Sequence, residues 1–266
     1  MGAAARRDVL RASAARAEAA GLDTLWIPDH IAIPPDDAEG SGGRYLDPLT
    51  TLAWLAAATD RIHLGTGVLV LPYRPALPTA KAIATVQELS DERLELGVGV
   101  GWMAAEFRAV GVERRARGRI SDAVLAFLHD AFEGRDEVVV SNGQSLFFRP
   151  RPRRPRIWIG GGGPQALARA ARFGDGWLPM TDDPERLRAP IAELAARFAD
   201  AGRARPEVAV FGGLGRRDRT WELDRLEALE ALGVTEFIQG ARYDDLDGLG
   251  LALDALIDRR DAWRSR

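Results

Sequence analysis

Histidine is the side chain that gives or takes a proton near neutral pH without help from its surroundings, and the chain has three: His30, His63 and His129. Only His30 stands where chemistry is expected. It closes the run WIPDH, Trp26 to His30, a short β-like segment followed by a long polar loop, so Asp29 and His30 fall at the carboxyl end of a strand. Two readings fit that position. Asp29 and His30 form a catalytic pair in which the carboxylate orients the ring, or the histidine bonds to loop backbone and Asp29 satisfies the turn. His63 lies near the start of its strand, the end that serves stability in such folds, and His129 lies within a helical stretch. Both are read as structural.

Three glycine-rich runs offer a second kind of chemistry. In GTGVLVLPYR, Gly65 to Arg74, glycines interrupt a strand that otherwise reads as core. They mark a bulge or a close approach of backbone to a flat ligand, with tight strand packing as the competing explanation. In GVGVGW, Gly97 to Trp102, the last glycine of GxGxxG is missing and no acidic residue is framed about 20 positions on, so the dinucleotide signal is weak. Trp102, followed by Glu106, forms a pocket wall or a buried aromatic. In IGGGGPQ, Gly160 to Gly163 leave a strand and enter a helix at Pro164. Bare N–H groups at a helix N-terminus suit a phosphate, and without the lysine of GxxxxGK[ST] that phosphate is held rather than cleaved. A flexible connector is the alternative.

The elements that must position these residues alternate. Helices are expected over 6–20, 48–59, 78–89, 104–132 with a break near Gly111, 165–173, 184–201, 220–232 and 246–260. Strands are expected over 24–28, 62–71, 94–100, 156–160, 177–180, 207–211 and 236–239. Asn142-Gly143 favours a type I′ turn, so a hairpin is expected over 138–148. A βα series without linker or composition shift makes residues 1–266 one α/β domain, either a closed (β/α)8 barrel or an open doubly wound sheet. Both place their chemistry on loops at the carboxyl ends of the strands.

Composition closes off other classes. With 266 residues, 46% of them hydrophobic and 28% charged, the chain can bury a core. It has no cysteine, so disulfides, thiolate nucleophiles and cysteine metal sites are excluded; its histidines never form an HExxH pair, and no metal is expected. Thirty-six basic against 39 acidic residues give a net charge of −3, and the basic run RPRPRRPR, Arg149 to Arg156, is broken by prolines and reads as a connector. No nucleic-acid partner is expected. No apolar run reaches the length of a membrane span and the start lacks a signal's apolar region, so a cytoplasmic protein without membrane contact is expected. Lys81 is the sole lysine, which reads as coding bias.

The series WIPDH, DPLTTLAWLAAATDRIHLGTGVLVLPYR, ELSDERLELGVGVGWMAAEF and IWIGGGGPQALARAARFGDGWLP resembles, in order and spacing, the luciferase-like family of flavin and deazaflavin enzymes. Within it the chain is most similar to the coenzyme F420-dependent oxidoreductase branch, from the first helix to about residue 180. The resemblance implies a (β/α)8 TIM-type barrel with F420 across its mouth. It implies a non-proline cis peptide joining Gly67 to Val68 behind the ring. It makes His30, with Asp29, the catalytic pair, His30 being the proton donor or acceptor. Thr66, Gly67, Val68, Trp102, Gly160, Gly161, Gly162, Gly163, Met180 and Thr181 become the cofactor-binding set. Trp102 stands where sugar-phosphate dehydrogenases of the branch carry glutamate, which argues against a sugar phosphate substrate. Members of the family also begin with a strand before the first helix, and here no β-like run precedes it. A barrel lacking its first strand is therefore expected, with two unpaired edges and a start assigned too late.

The reading is an F420-dependent oxidoreductase that transfers a hydride between the deazaflavin and a small organic substrate. An FMN-dependent monooxygenase on the same barrel and a cofactor-binding or inactive truncated barrel are the alternatives. The resemblance also implies a homodimer, with helices after the early strands in contact.

Overall fold

Helix starts follow the aspartates of this chain. Asp47, Asp183, Asp218 and Asp245 each accept a first-turn backbone N–H through the side chain, and Pro48 and Pro184 take the first helical position, where no N–H is needed. The computed structural model describes residues 2–38, 40–215, 217–240 and 243–266. After a single 3-10 turn come α1 (Arg7–Ala19), β1 (Thr24–Ile27), α2 (Pro48–Ala56), β2 (His63–Thr66), β3 (Leu69–Val70), α3 (Ala76–Leu89), β4 (Leu94–Gly99), α4 (Ala104–Ala109) and α5 (Arg117–Glu133). A hairpin follows, β5 (Val138–Ser141) and β6 (Gln144–Phe147). The chain then runs through β7 (Arg156–Gly160), α6 (Pro164–Phe173), β8 (Gly176–Leu178), α7 (Pro184–Asp200), β9 (Glu207–Gly212), α8 (Arg219–Leu232), β10 (Glu236–Gln239) and α9 (Leu246–Arg264).

The staves pair in parallel in the order β1-β2-β4-β7-β8-β9-β10, with β3 added beside β4. This is a nearly closed α/β barrel of the TIM type, with β5 and β6 paired antiparallel outside it. Asn142 and Gly143 both take positive φ, 48° and 75°, as the type I′ turn requires. The stretch read as one strand over 62–71 is two, β2 and β3, separated by a cis peptide between Gly67 and Val68. The stretch read as one helix over 104–132 breaks at Gly111, whose φ is +71°. No helix among the described residues is long and apolar enough to cross a membrane.

Leu52, Leu64, Leu96, Leu125 and Ile157 belong to the main core between staves and helices. Inside the barrel sit Trp158, Leu178, Ala209 and Ile238, with Trp26, Val68 and Phe211 against them. Trp26 and Trp158 meet edge to face at 6.1 Å. Two strand glycines make that possible: a Cβ on Gly65 would stand 2.4 Å from the Trp26 ring, and one on Gly176 would stand 2.4 Å from Trp158.

The strand ring stops at β1 and β10, which do not pair among the described residues. Asp23 and Ile27 direct their carbonyls to β2, accepting from His63 and Gly67. By alternation, Thr24 and Trp26 turn their main-chain groups away from it. They face a cavity of about 1140 Å³ between β1, β10, α1 and α9, lined by Leu10, Ala17, Phe237 and Leu253 among others. The helix ring outside does close: Arg16 Nη1 donates to Leu246 O at 3.0 Å and Arg260 Nη1 to Ala20 O at 2.6 Å. The gap expected where a first strand would lie is thus a seam in the inner layer alone.

Across the foot of the seam, Trp26 Nε1 donates to Glu236 Oε1 at 3.0 Å. Burial, and secondarily the neighbouring Glu95, hold the Glu236 carboxyl above its ordinary value, although the Trp26 bond works the other way. Glu95 goes down instead, because His63, Arg156 and Trp158 outweigh its burial. A carboxyl whose folded pKa is raised keeps its proton longer in the folded than in the unfolded state, so stability falls as pH rises from the unfolded value of 4.5 through the folded one. Glu236→Gln keeps an acceptor for Trp26 and removes the titration. Its melting temperature should match that of the parent in acid and exceed it at neutral pH, and thermal melts across that range check both halves.

Candidate active site

Every stave runs the same way, so the carboxyl ends of β1, β3, β4, β7 and β8 open at one mouth. The loop after β1 brings His30 there. Its Nδ1 lies 3.0 Å from Glu106 Oε2, in the first turn of α4. Glu106 is only 2% exposed. Its Oε1 accepts from the backbone N–H of Ile31 at 2.6 Å and of Ala32 at 3.3 Å, while Oε2 also accepts from Tyr73 Oη at 3.1 Å. Burial, with Glu106 beside it, pushes the Tyr73 phenol far above its ordinary value, so the hydroxyl remains a donor. The His30 ring keeps 17% of its side chain exposed. It meets Tyr45 edge-on at 4.7 Å and Trp102 at 6.3 Å.

Asp29 is not the partner of His30. Its buried carboxylate accepts from Val70 N at 2.9 Å and takes Arg74 through two bonds, Nη1 to Oδ2 at 2.6 Å and Nη2 to Oδ1 at 2.9 Å. Arg74 also donates to Asp47, the cap of α2, at 3.0 Å. Burial opposes the charge on Arg74, but Asp29 and then Asp47 more than offset it. Asp29 therefore ties the end of β1 to β3 and α2, and its expected pairing with His30 is corrected: the carboxylate is engaged by Val70 N and the Arg74 guanidinium and makes no hydrogen bond to the ring among the described residues.

Thr66 is corrected likewise. It is fully buried and its hydroxyl donates to Gly97 O at 2.6 Å, holding β2 to β4. The glycines of this region serve packing as well. A Cβ on Gly67 would meet Phe211 at 3.0 Å, one on Gly99 would meet Val68 at 2.6 Å, and one on Gly160 would meet Val68 at 2.9 Å. Val68 thus fills the space left by two glycines of neighbouring staves, directly after the cis bond at Gly67.

Of the four successive glycines, Gly160 lies within β7 and Gly161 gives its N–H to Leu178 O at 3.0 Å. The N–H groups of Gly162 and Gly163 make no hydrogen bond among the described residues. Both glycines are exposed, and no heavy atom lies within 4 Å of a Cβ built on Gly162. Two amides of the four, at the start of α6, are thereby open to an anion. Met180 is 75% exposed and Trp102 66%, large apolar side chains left uncovered at the mouth. Thr181 is half-buried and its Oγ1 accepts from Asp183 N at 3.2 Å.

The other histidines sit away from the mouth. His63 Nδ1 lies 3.0 Å from Glu95 Oε1 at the opposite end of the barrel, outside hydrogen-bond geometry. His129 spans α5 to α6, with Nδ1 2.7 Å from Glu133 and Nε2 3.0 Å from Phe173 O. Arg153, Arg154 and Arg156 of the basic run are ion-paired with Glu92, Asp175 and Glu95. The residues that sequence reasoning did not assign are Glu106 as the histidine's partner, Tyr73, Tyr45 and the Arg74 clamp. One signal for Glu106 was available: a lone acid between Ala105 and Phe107 in an otherwise apolar helix start.

Comparison with known proteins identifies relatives of the chain. The family described as luciferase-like monooxygenase matches residues 2–240. An F420-dependent glucose-6-phosphate dehydrogenase of Kineococcus radiotolerans is 37% identical over 270 residues, covering 92% of this chain and 75% of that one. A 5,10-methylenetetrahydromethanopterin reductase of Archaeoglobus fulgidus is 31% identical over 256 residues, covering 92% and 71%. The structure of a coenzyme F420-dependent tetrahydromethanopterin reductase from Methanopyrus kandleri superposes with a TM-score of 0.74 at 16% identity, covering 97% of each chain.

Removing Arg74 would strand the wholly buried Asp29 carboxylate. Arg74→Met is expected to lower the unfolding free energy by about 3–5 kcal/mol, the usual cost of breaking a buried pair from one side. Adding Asp29→Asn should restore part of it. Urea titration of the two variants measures this, and a single-variant loss near zero would mean that the clamp is solvated.

Proposed function

The chain belongs to the luciferase-like monooxygenase family, and from that premise we propose that it is an F420-dependent oxidoreductase acting on a small organic substrate. His30 gives or takes the proton that accompanies hydride transfer. The observation that carries the reading is the position of His30: one ring nitrogen is held by Glu106, the other makes no bond among the described residues, and the ring lies 6.3 Å from the exposed Trp102 ring.

The residues present fit the cofactor. Gly162 leaves a space that a Cβ would enter, and the free N–H groups of Gly162 and Gly163 at the start of α6 suit its phosphate. Val68, packed between Gly99 and Gly160, would back the cofactor's ring, and Trp102, Met180 and Thr181 would help to hold it. When bound, the deazaflavin supplies a carbon that carries an electron pair as hydride. The protein contributes orientation, exclusion of water and the His30 proton. The relative named for F420, at 37% identity, supports this cofactor over FMN. Trp102, with Tyr45 also against the His30 ring, supports an uncharged substrate over a sugar phosphate.

Titrating the purified protein with F420 and with FMN, followed by tryptophan fluorescence, tests the cofactor. Saturable quenching by F420 is expected, and binding of FMN alone would replace this reading with the monooxygenase. His30→Ala should keep its cofactor affinity and lose about 10²- to 10⁴-fold in turnover, the range for a general acid or base. Unchanged turnover would take His30 out of the reaction.

A further inference from the structure

Glu106 is a buried carboxyl whose two oxygens meet three donors and a ring nitrogen drawn from two places in the chain. The N–H groups of Ile31 and Ala32 can only donate, and both converge on Oε1. That oxygen is an acceptor whatever else changes. Oε2 faces Tyr73 Oη at 3.1 Å and His30 Nδ1 at 3.0 Å. Tyr73 keeps its proton and donates. An oxygen that takes one hydrogen from the phenol takes its second from the ring, which places a hydrogen on Nδ1. In a neutral imidazole the bond made by one nitrogen decides the state of the other, so Nε2 carries the lone pair. Nε2 makes no bond among the described residues, and the one buried side-chain atom without a partner among them is His63 Nδ1, so Nε2 is not sealed from solvent.

We infer that Glu106 is the positioning residue of this site, holding His30 in the Nδ1–H tautomer so that every proton exchanged with the substrate passes through Nε2. This rests on the reading of His30 as the proton carrier. It goes further in fixing which atom carries the proton and which residue decides it. The same carboxyl sets where the ring stands, because its other oxygen holds the two residues that follow His30. Orientation and tautomer therefore have one cause. Glu106 itself stays out of the reaction: its oxygens are occupied, and it acts only through the ring.

Glutamine makes the inference sharp. In Glu106→Gln the oxygen must face Ile31 and Ala32, since their N–H groups accept nothing, and the amide NH₂ is thereby turned toward Nδ1. A donor there demands a bare Nδ1 and moves the ring hydrogen to Nε2. The experiment is long-range ¹H–¹⁵N correlation on the full chain labelled with ¹⁵N-histidine, in alkaline buffer where the rings are neutral, with His30 assigned by the signals that vanish in His30→Gln. The parent protein is expected to show protonated Nδ1 and bare Nε2 for His30, and Glu106→Gln the reverse. Turnover of that variant should fall by about 10- to 100-fold, as when a ring loses the group that orients it, with cofactor affinity unchanged. A parent spectrum with hydrogen on Nε2 overturns the inference, and so does a variant that keeps the parent's tautomer. Should Glu106→Gln fail to fold, the parent spectrum alone decides. Because the spectra need neither cofactor nor substrate, loss of the F420 reading leaves them standing, and a wrong tautomer leaves the F420 reading standing.

Discussion

Glu106 draws the mouth of this barrel together. Three segments far apart in sequence end at its carboxyl: the loop after β1 through His30, Ile31 and Ala32, the turn after β3 through Tyr73, and α4, which carries the acid itself. A carboxyl 2% exposed is tolerable only when its lone pairs are met, so the demand for donors determines where the β1 loop lies. Once the loop is fixed, the His30 ring has Tyr45 and Trp102 edge-on beside it. The Arg74 clamp does parallel work one layer down, joining β1, β3 and α2 through Asp29 and Asp47. The His30 ring is thus placed by two buried carboxylates, Glu106 directly and Asp29 through the end of β1.

The alternation of elements was legible because barrel staves and their helices write different periods into the sequence. Boundaries agree to within a few residues wherever an aspartate cap or a positive-φ glycine marks them, as at Asp47, Gly21 and Asp183. The mouth was legible in position, since strand ends are readable. Its wiring was not. Adjacent in sequence, Asp29 and His30 read as a pair, but neighbours on an extended chain point to opposite sides, and Asp29 turns inward to Arg74 while His30 finds a partner 76 residues on. The glycines were ambiguous for a related reason. Gly65 and Gly67 suggested either a platform for a flat ligand or tight packing, and each yields space to an aromatic ring, Trp26 or Phe211, contributed from elsewhere in the fold. Long-range packing of that kind leaves no local mark. Gly162, by contrast, has no heavy atom within 4 Å of a Cβ built on it.

Charge is divided between the two ends of the barrel. At the foot, Arg156 joins Glu95 to Glu207 and Arg154 joins Glu133 to Asp175, while towards the mouth Arg74 clamps Asp29 and Arg225 pairs with Asp182. Guanidinium is suited to this because its planar fork satisfies a carboxylate through two bonds and stays charged. A chain with a single lysine has in effect built its ion pairs from the less hydrated cation.

The seam between β1 and β10 gives the wall a weak side. Elsewhere neighbouring staves are laced by repeated backbone bonds, but here cohesion comes from the indole of Trp26 on Glu236 and from arginines reaching between α1 and α9. Such links are few and separate, so they can let go one at a time. Thermal breathing, amide exchange and the first cut of a protease should all begin along this line, and the barrel should unroll from it like a sheet of paper released at its edge.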